Sequence, residues 1–118
     1  MGAEELKKRT QSFALDIIKL IQVLPHHGPA NAIARQLIRC GTSVGANFRS
    51  ACRARSNADF IAKLKIVEEE CDESIYWLEL LISMNLSSAP LIRKLMDEAN
   101  QILSIIVASI KTCRRKMQ

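Results

Sequence analysis

Arg35, Arg39, Arg49 and Arg53 lie in a stretch, Ile17 to Ala58, that contains no acidic residue. On a helix turning about 100° per residue they fall within a sector of roughly 80°. A planar guanidinium grips phosphate through two parallel donors, and several in series make a salt-dependent polyanion site. The same groups can pair with an acidic helix face, and residues 59–79 supply one. There Asp59, Glu68, Glu69, Glu70, Asp72, Glu73 and Glu79 stand against only Lys63 and Lys65. A second cationic cluster, Lys111, Arg114, Arg115 and Lys116, suits either a ligand-binding tail or the negative end of a helix dipole. Two chemistries are open for these residues: binding RNA or DNA phosphates, or holding subunits or a partner protein together.

The residue types that catalysis needs are poorly arranged. A di-iron bundle requires paired Glu-x-x-His motifs, but His26 and His27 share one Pro- and Gly-rich segment. Cys40, Cys52, Cys71 and Cys113 form no C-x-x-C pair, so zinc spacing is missing and reduced, packed thiols are expected. No helical segment offers a histidine as base to a nucleophile, and no phosphate-cradling glycine loop is present. Glu68, Glu69 and Glu70 point in different directions around a helix, which suits a solvated or subunit-pairing face. The expectation is a protein without catalytic residues, metal or cofactor. Tyr76 and Trp77 could stack on bases, yet aromatics are only 4% of the chain. Nucleic-acid contact should therefore be mainly to backbone phosphates.

These side chains need helices to position them. Opposite the arginines, Ile33, Leu37, Cys40, Val44, Phe48 and Ala51 gather within another sector of about 80°, which predicts an amphipathic helix from near Ala30 to about Ala54. Gly41 and Gly45 inside it cost roughly 1 kcal/mol each relative to alanine, and a close helix crossing would offset that. Asn47, at the edge of the apolar face, is expected to fix helix register through a polar contact. A first helix runs from about Glu4 to Leu24, ended by Pro25-His26-His27-Gly28-Pro29. Ser56-Asn57-Ala58-Asp59 resembles a capping box opening a third helix, whose seam is Phe60, Leu64, Val67, Cys71, Ser74, Leu78 and Leu81. Pro90 suits the first turn of a fourth helix, from about Ala89 to Arg115.

Four amphipathic helices of similar length predict an all-α, antiparallel up-down-up-down four-helix bundle, a single domain over residues 1–118. Apolar residues are 48% and charged residues 25%, a globular balance rather than a disordered one. The net charge of +5 is moderate, so its distribution carries more than its size. No apolar run reaches the roughly 18 residues of a membrane span, and a cytoplasmic protein without membrane contact is expected.

The run Gln36-Leu37-Ile38-Arg39-Cys40-Gly41-Thr42-Ser43-Val44-Gly45-Ala46-Asn47-Phe48, followed by Ala51, Ser56, Asp59 and Phe60 and then Glu73-Ser74-Ile75-Tyr76-Trp77-Leu78-Glu79-Leu80-Leu81, carries a resemblance. It resembles the bacterial four-helix-bundle family that includes proteins encoded in 23S rRNA intervening sequences and the accessory variability proteins of diversity-generating retroelements. Arg39 matches the basic residue before the family's glycine motif, and Ser43 and Asn47 match its small and polar positions. After the second helix the family often carries Glu, Gly and Arg, where this chain has Arg49-Ser50-Ala51-Cys52-Arg53. The resemblance implies a homo-oligomer, a pentameric ring, and in the retroelement branch a basic surface that binds nucleic acid and a reverse transcriptase.

Overall fold

Proline chemistry sets the first turn of the chain. The residue before a proline is pushed out of the helical region, and Leu24, preceding Pro25, is extended at φ −79°, ψ 156°. Gly28 then takes φ +68°, a left-handed conformation open to glycine because it has no Cβ. The computed structural model describes residues Met1–Gln118. It consists of α1 (Ala3–Val23), α2 (Gly28–Ala51), α3 (Asn57–Ser83) and α4 (Ala89–Lys116). No helix is long and apolar enough to cross a membrane.

The helices form an antiparallel up-down-up-down bundle with extents of 49 × 21 × 19 Å. α1 packs on α2, α2 on α3, α3 on α4 and α4 back on α1, while the backbones of the two diagonal pairs stay apart. Antiparallel order is visible in the contacts: Gly41 faces Ile17 while Gly45, one turn on, faces the earlier Thr10. Likewise Cys113, late in α4, reaches the carbonyl of Asn57, the first residue of α3.

The third helix starts as its sequence predicts. Ser56 is extended, and its Oγ accepts the Asp59 backbone N–H at 3.0 Å. The Asp59 carboxylate reaches back to accept the Arg55 backbone N–H at 3.2 Å, closing a variant of the capping box. At the far end Asn85 adopts φ 55°, a left-handed conformation that asparagine tolerates after a helix. Ile61, Leu64, Val67, Cys71, Ser74, Leu78 and Leu81 are buried along α3. Phe60 departs from the expected seam: it lies near the end of the bundle, where it is only partly covered, and Ile61 supplies the buried contact there.

Buried side chains of all four helices make one apolar cluster. Two hydroxyls lie inside it, each returned to its own helix. Thr10 Oγ1 donates to the Leu6 and Lys7 carbonyls at 3.0 Å, and Ser74 Oγ to the Glu70 carbonyl at 2.8 Å. Thr10 is satisfied within its own helix, and Ser74 additionally reaches Cys40 Sγ on α2 at 3.3 Å, which removes the cost of burying them. Cys40, Cys71 and Cys113 are buried free thiols and Cys52 is partly exposed. Burial pushes the Cys71 thiol up to about 12, so it stays protonated and unreactive near neutral pH.

The two helix-interior glycines face α1. A Cβ at Gly41 would lie 3.0 Å from Ile17 Cγ1, and one at Gly45 would lie 3.1 Å from Thr10 Oγ1. Ile17 is fully buried and Thr10 is tethered by its hydrogen bonds, so neither can retreat freely. For alanine the crowding opposes a gain of about 1 kcal/mol in helix propensity, and the two nearly cancel. Leucine has no such balance. Gly41→Leu and Gly45→Leu should each lower unfolding free energy by about 1–3 kcal/mol or more, while the alanine variants stay near wild type in urea denaturation; leucine variants as stable as wild type would contradict the close crossing.

Candidate nucleic-acid interface

The arginine stripe is built on α2, but the helix is shorter than its periodicity suggests. It ends at Ala51 rather than Ala54. The Arg53 and Ala54 backbone N–H groups bond only three residues back, to Ser50 and Ala51, because the chain must tighten and reverse before Ser56 takes its extended capping conformation. Arg53 therefore leaves the helical stripe and sits in the α2–α3 turn. Arg35, Arg39 and Arg49 remain on the helix, and all four arginines are exposed.

Arg39 is also unlike the others in its partners. Its guanidinium is hydrogen-bonded to Glu73 and lies 3.4 Å from Glu70 Oε2, both on α3. Trp77 Nε1 donates to the same Glu73 oxygen at 3.1 Å. The Arg39 bond, and secondarily the Trp77 bond, hold the Glu73 carboxyl below its ordinary value. Arg39 thus serves chiefly as a clamp between α2 and α3. None of the five ion pairs in the molecule involves Arg35, Arg49 or Arg53.

Asn47 does not reach across to another helix. Its Nδ2 donates to the Ser43 carbonyl at 2.8 Å within α2, just as Ser43 Oγ donates to the Arg39 carbonyl at 2.7 Å. The polar edge of α2 is thus satisfied one turn back along its own backbone, and register rests on Gly41 and Gly45 instead. Trp77 is partly buried and committed to Glu73, while exposed Tyr76 packs edge-on against it with ring centroids 5.1 Å apart. Neither forms a free stacking platform beside the arginines. His26 and His27 are exposed in the α1–α2 connection.

What no linear reading displays is the meeting of the two cationic clusters. Alternating helix direction places the α2–α3 turn, the start of α1 and the end of α4 at one end of the bundle. One groove there is shared by Ala3, Arg55 and Asn57, and an adjoining one by Met1, Asn57 and Lys116. Arg49, Arg53, Arg55, Lys111, Arg114, Arg115 and Lys116 all belong to this end and are exposed. The carboxylates nearby are partly engaged: Asp59 accepts Lys63 Nζ at 3.0 Å and Glu4 accepts Lys7 Nζ at 3.0 Å. The Lys7 bond chiefly holds the Glu4 carboxyl below its ordinary value, with smaller contributions from the Lys8 and Arg49 charges. The other end carries the Leu24–His27 and Met84–Ser88 connections, with no acidic or basic side chain among them except the two histidines. One end of the rod is therefore strongly cationic, and its field attracts anions.

Arg39→Gln separates the clamp from the basic end. Because Glu73 is held low in the folded chain, its contribution to stability is complete above the ordinary carboxylate value of 4.5 and is lost as pH falls below that through its folded value. The difference in Tm between wild type and Arg39→Gln should therefore be largest near neutral pH and shrink in acid. A difference that stays constant down to pH 3 would mean that Arg39 acts through packing alone.

A family model described as 23S rRNA-intervening sequence protein matches residues 4–108. Among solved structures, a protein of unknown function from the S23 ribosomal protein family of Bacteroides thetaiotaomicron VPI-5482 is similar, with 35% identity and a TM-score of 0.82 over 90% of this chain and 98% of that one. No curated protein matches. Matched along nearly its whole length, the chain belongs to the 23S rRNA-intervening sequence protein family.

Proposed function

We propose that this protein is a nonenzymatic bundle that binds RNA or DNA phosphates through its basic surfaces, as an accessory to RNA processing or reverse transcription. The observation that carries the reading is the gathering of exposed cations from α2, the α2–α3 turn and α4 at one end, most of them outside any ion pair. Guanidinium groups kept free of carboxylates retain their donors for phosphate. Arg39 belongs to the fold rather than to the ligand. Membership in a family described by a ribosomal RNA element adds an RNA context without supplying a ligand.

A second reading, a homo-oligomeric scaffold whose arginines contact other subunits or a partner protein, draws support from exposed apolar side chains. Leu15 and Val23 on α1, Ile38 on α2 and Ile66 on α3 are all more than a third exposed. The pentamer is the assembly that the family resemblance favours. Nucleic-acid binding and assembly are compatible if apolar flanks meet between subunits and the basic ends stay open.

Replacing Arg35, Arg49 and Arg53 together with glutamine should weaken binding to random-sequence RNA and flatten its salt dependence. The slope of log K against log salt should become shallower by at most about three, since each arginine that touches a phosphate releases about one counterion. Sequence preference should change little. Sedimentation equilibrium on the same variant separates the readings: an unchanged mass with weaker binding favours a phosphate surface, and dissociation favours subunit contacts. A wild-type chain that binds neither RNA nor DNA at low salt overturns the nucleic-acid reading.

A further inference from the structure

The basic end is not a flat patch. Three grooves of about 440, 490 and 450 Å³ adjoin there, the first two sharing Asn57 and Phe60 and the last two sharing Ala108 and Thr112. Linked through these shared residues, the three shallow grooves line up as one trough that begins between the α1 N-terminus and the α2–α3 turn. It passes over the first turn of α3 and continues along the outer face of α4. Not one carboxylate lines any of the three grooves, although the chain carries twelve acidic residues. Four cations do line them: Arg55 in the first, Lys116 in the second, and Lys111 and Arg115 in the third. By contrast, a groove between α1 and α4 farther along the bundle contains Asp16, Asp97 and Glu98.

Phe60 lies where the first two grooves meet, partly exposed, with cations on both sides. An aromatic face flanked by cations, within a chain of small concave compartments, matches the needs of an unpaired strand. Such a strand can follow a curved track, set its phosphates against Arg and Lys, and lay a base on an aromatic ring. A duplex keeps its bases stacked inside a stiff rod and cannot place them in such depressions.

We infer that this trough is a track for single-stranded nucleic acid, with Arg55, Lys111, Arg115 and Lys116 holding phosphates and Phe60 receiving one base. The inference rests on the nucleic-acid reading above and names its site and strand form. The α2 arginines Arg35 and Arg49 then lie outside the track and contribute long-range attraction, while the trough makes the contacts.

The test uses the full-length chain, a fluorescently labelled ten-residue oligouridylate, and a duplex containing the same strand, with anisotropy read at low and moderate salt. The single strand should bind about tenfold or more tightly than the duplex. Substituting Arg55, Lys111, Arg115 and Lys116 with glutamine should weaken single-strand binding more than the Arg35/Arg49/Arg53 variant does. Phe60→Leu should weaken it about fivefold or more with the salt slope unchanged, and Phe60→Tyr should restore it, because stacking is independent of released counterions. Circular dichroism identifies a Phe60 variant that fails to fold, in which case the four-cation variant decides. Equal or tighter duplex binding overturns the strand preference. Wild-type affinity in the four-cation variant, with loss confined to the Arg35/Arg49/Arg53 variant, overturns the trough and leaves the nucleic-acid reading standing. A fall in sedimentation mass of the four-cation variant would place a second copy of the chain in the trough and overturn the inference; absence of binding by wild type sinks both.

Discussion

The connections Leu24–His27, Cys52–Ser56 and Met84–Ser88 are too short to carry the chain the length of the bundle. Successive helices must therefore reverse, and nearly everything functional depends on that constraint. Reversal places the N-termini of α1 and α3 beside the C-termini of α2 and α4. The helix dipoles at this end are two of each sign and largely offset one another, so the local field is set by side chains. Those side chains are Arg49, Arg53 and Arg55 from one part of the chain and Lys111 to Lys116 from another. Clusters some sixty residues apart in sequence become one surface, with the acidic stretch of α3 kept largely to the middle and far half of the rod.

Each seam of the bundle uses a different device to hold this arrangement. Between α1 and α2, Gly41 and Gly45 admit Ile17 and Thr10 at distances a side chain would obstruct. Between α2 and α3, Arg39 bridges to Glu70 and Glu73 on the surface while Ser74 contacts Cys40 Sγ at 3.3 Å beneath it. The α3–α4 seam is mainly aliphatic, from Leu64 and Leu78 to Ile102 and Ile106. The α1–α4 seam has the sparsest backbone contact. It is spanned by Arg9, which binds both Glu98 oxygens at 2.7 and 2.8 Å and Gln101 at 2.5 Å. Such a bidentate pair, partly shielded from water, is worth about 1 kcal/mol and fixes the relative height of the first and last helices.

Helical periodicity made the four helices and most of the core legible, because Leu, Ile and Val at threes and fours have one way to be buried together. The glycines were legible for the same reason: two costly residues on one side of a helix require a close neighbour, although only the structure identifies it as α1. Arg53 and Phe60 lie at element ends, where periodicity stops deciding and turn or capping geometry takes over. The position of Asn47 at the edge of the apolar face suggests a contact to another helix, but its own backbone offers a nearer acceptor. Arg39 could not be told from its neighbours by spacing, since its partners lie more than thirty residues away. The joining of two basic clusters into one end was legible only jointly, from the topology together with the positions of both clusters in their helices.

Phosphate binding, as proposed above, should centre on the cationic end. Titrating an isotope-labelled sample of the whole chain with a short oligonucleotide, and following backbone amide shifts by NMR, tests it most directly. Shifts should concentrate in Arg49–Phe60 and Leu103–Lys116, fade along the bundle, and leave Pro25–Gly28 and Asn85–Ser88 unmoved. Shifts centred on those opposite connections, or on the acidic face of α3 around Glu69 and Asp72, would contradict a phosphate site at the cationic end.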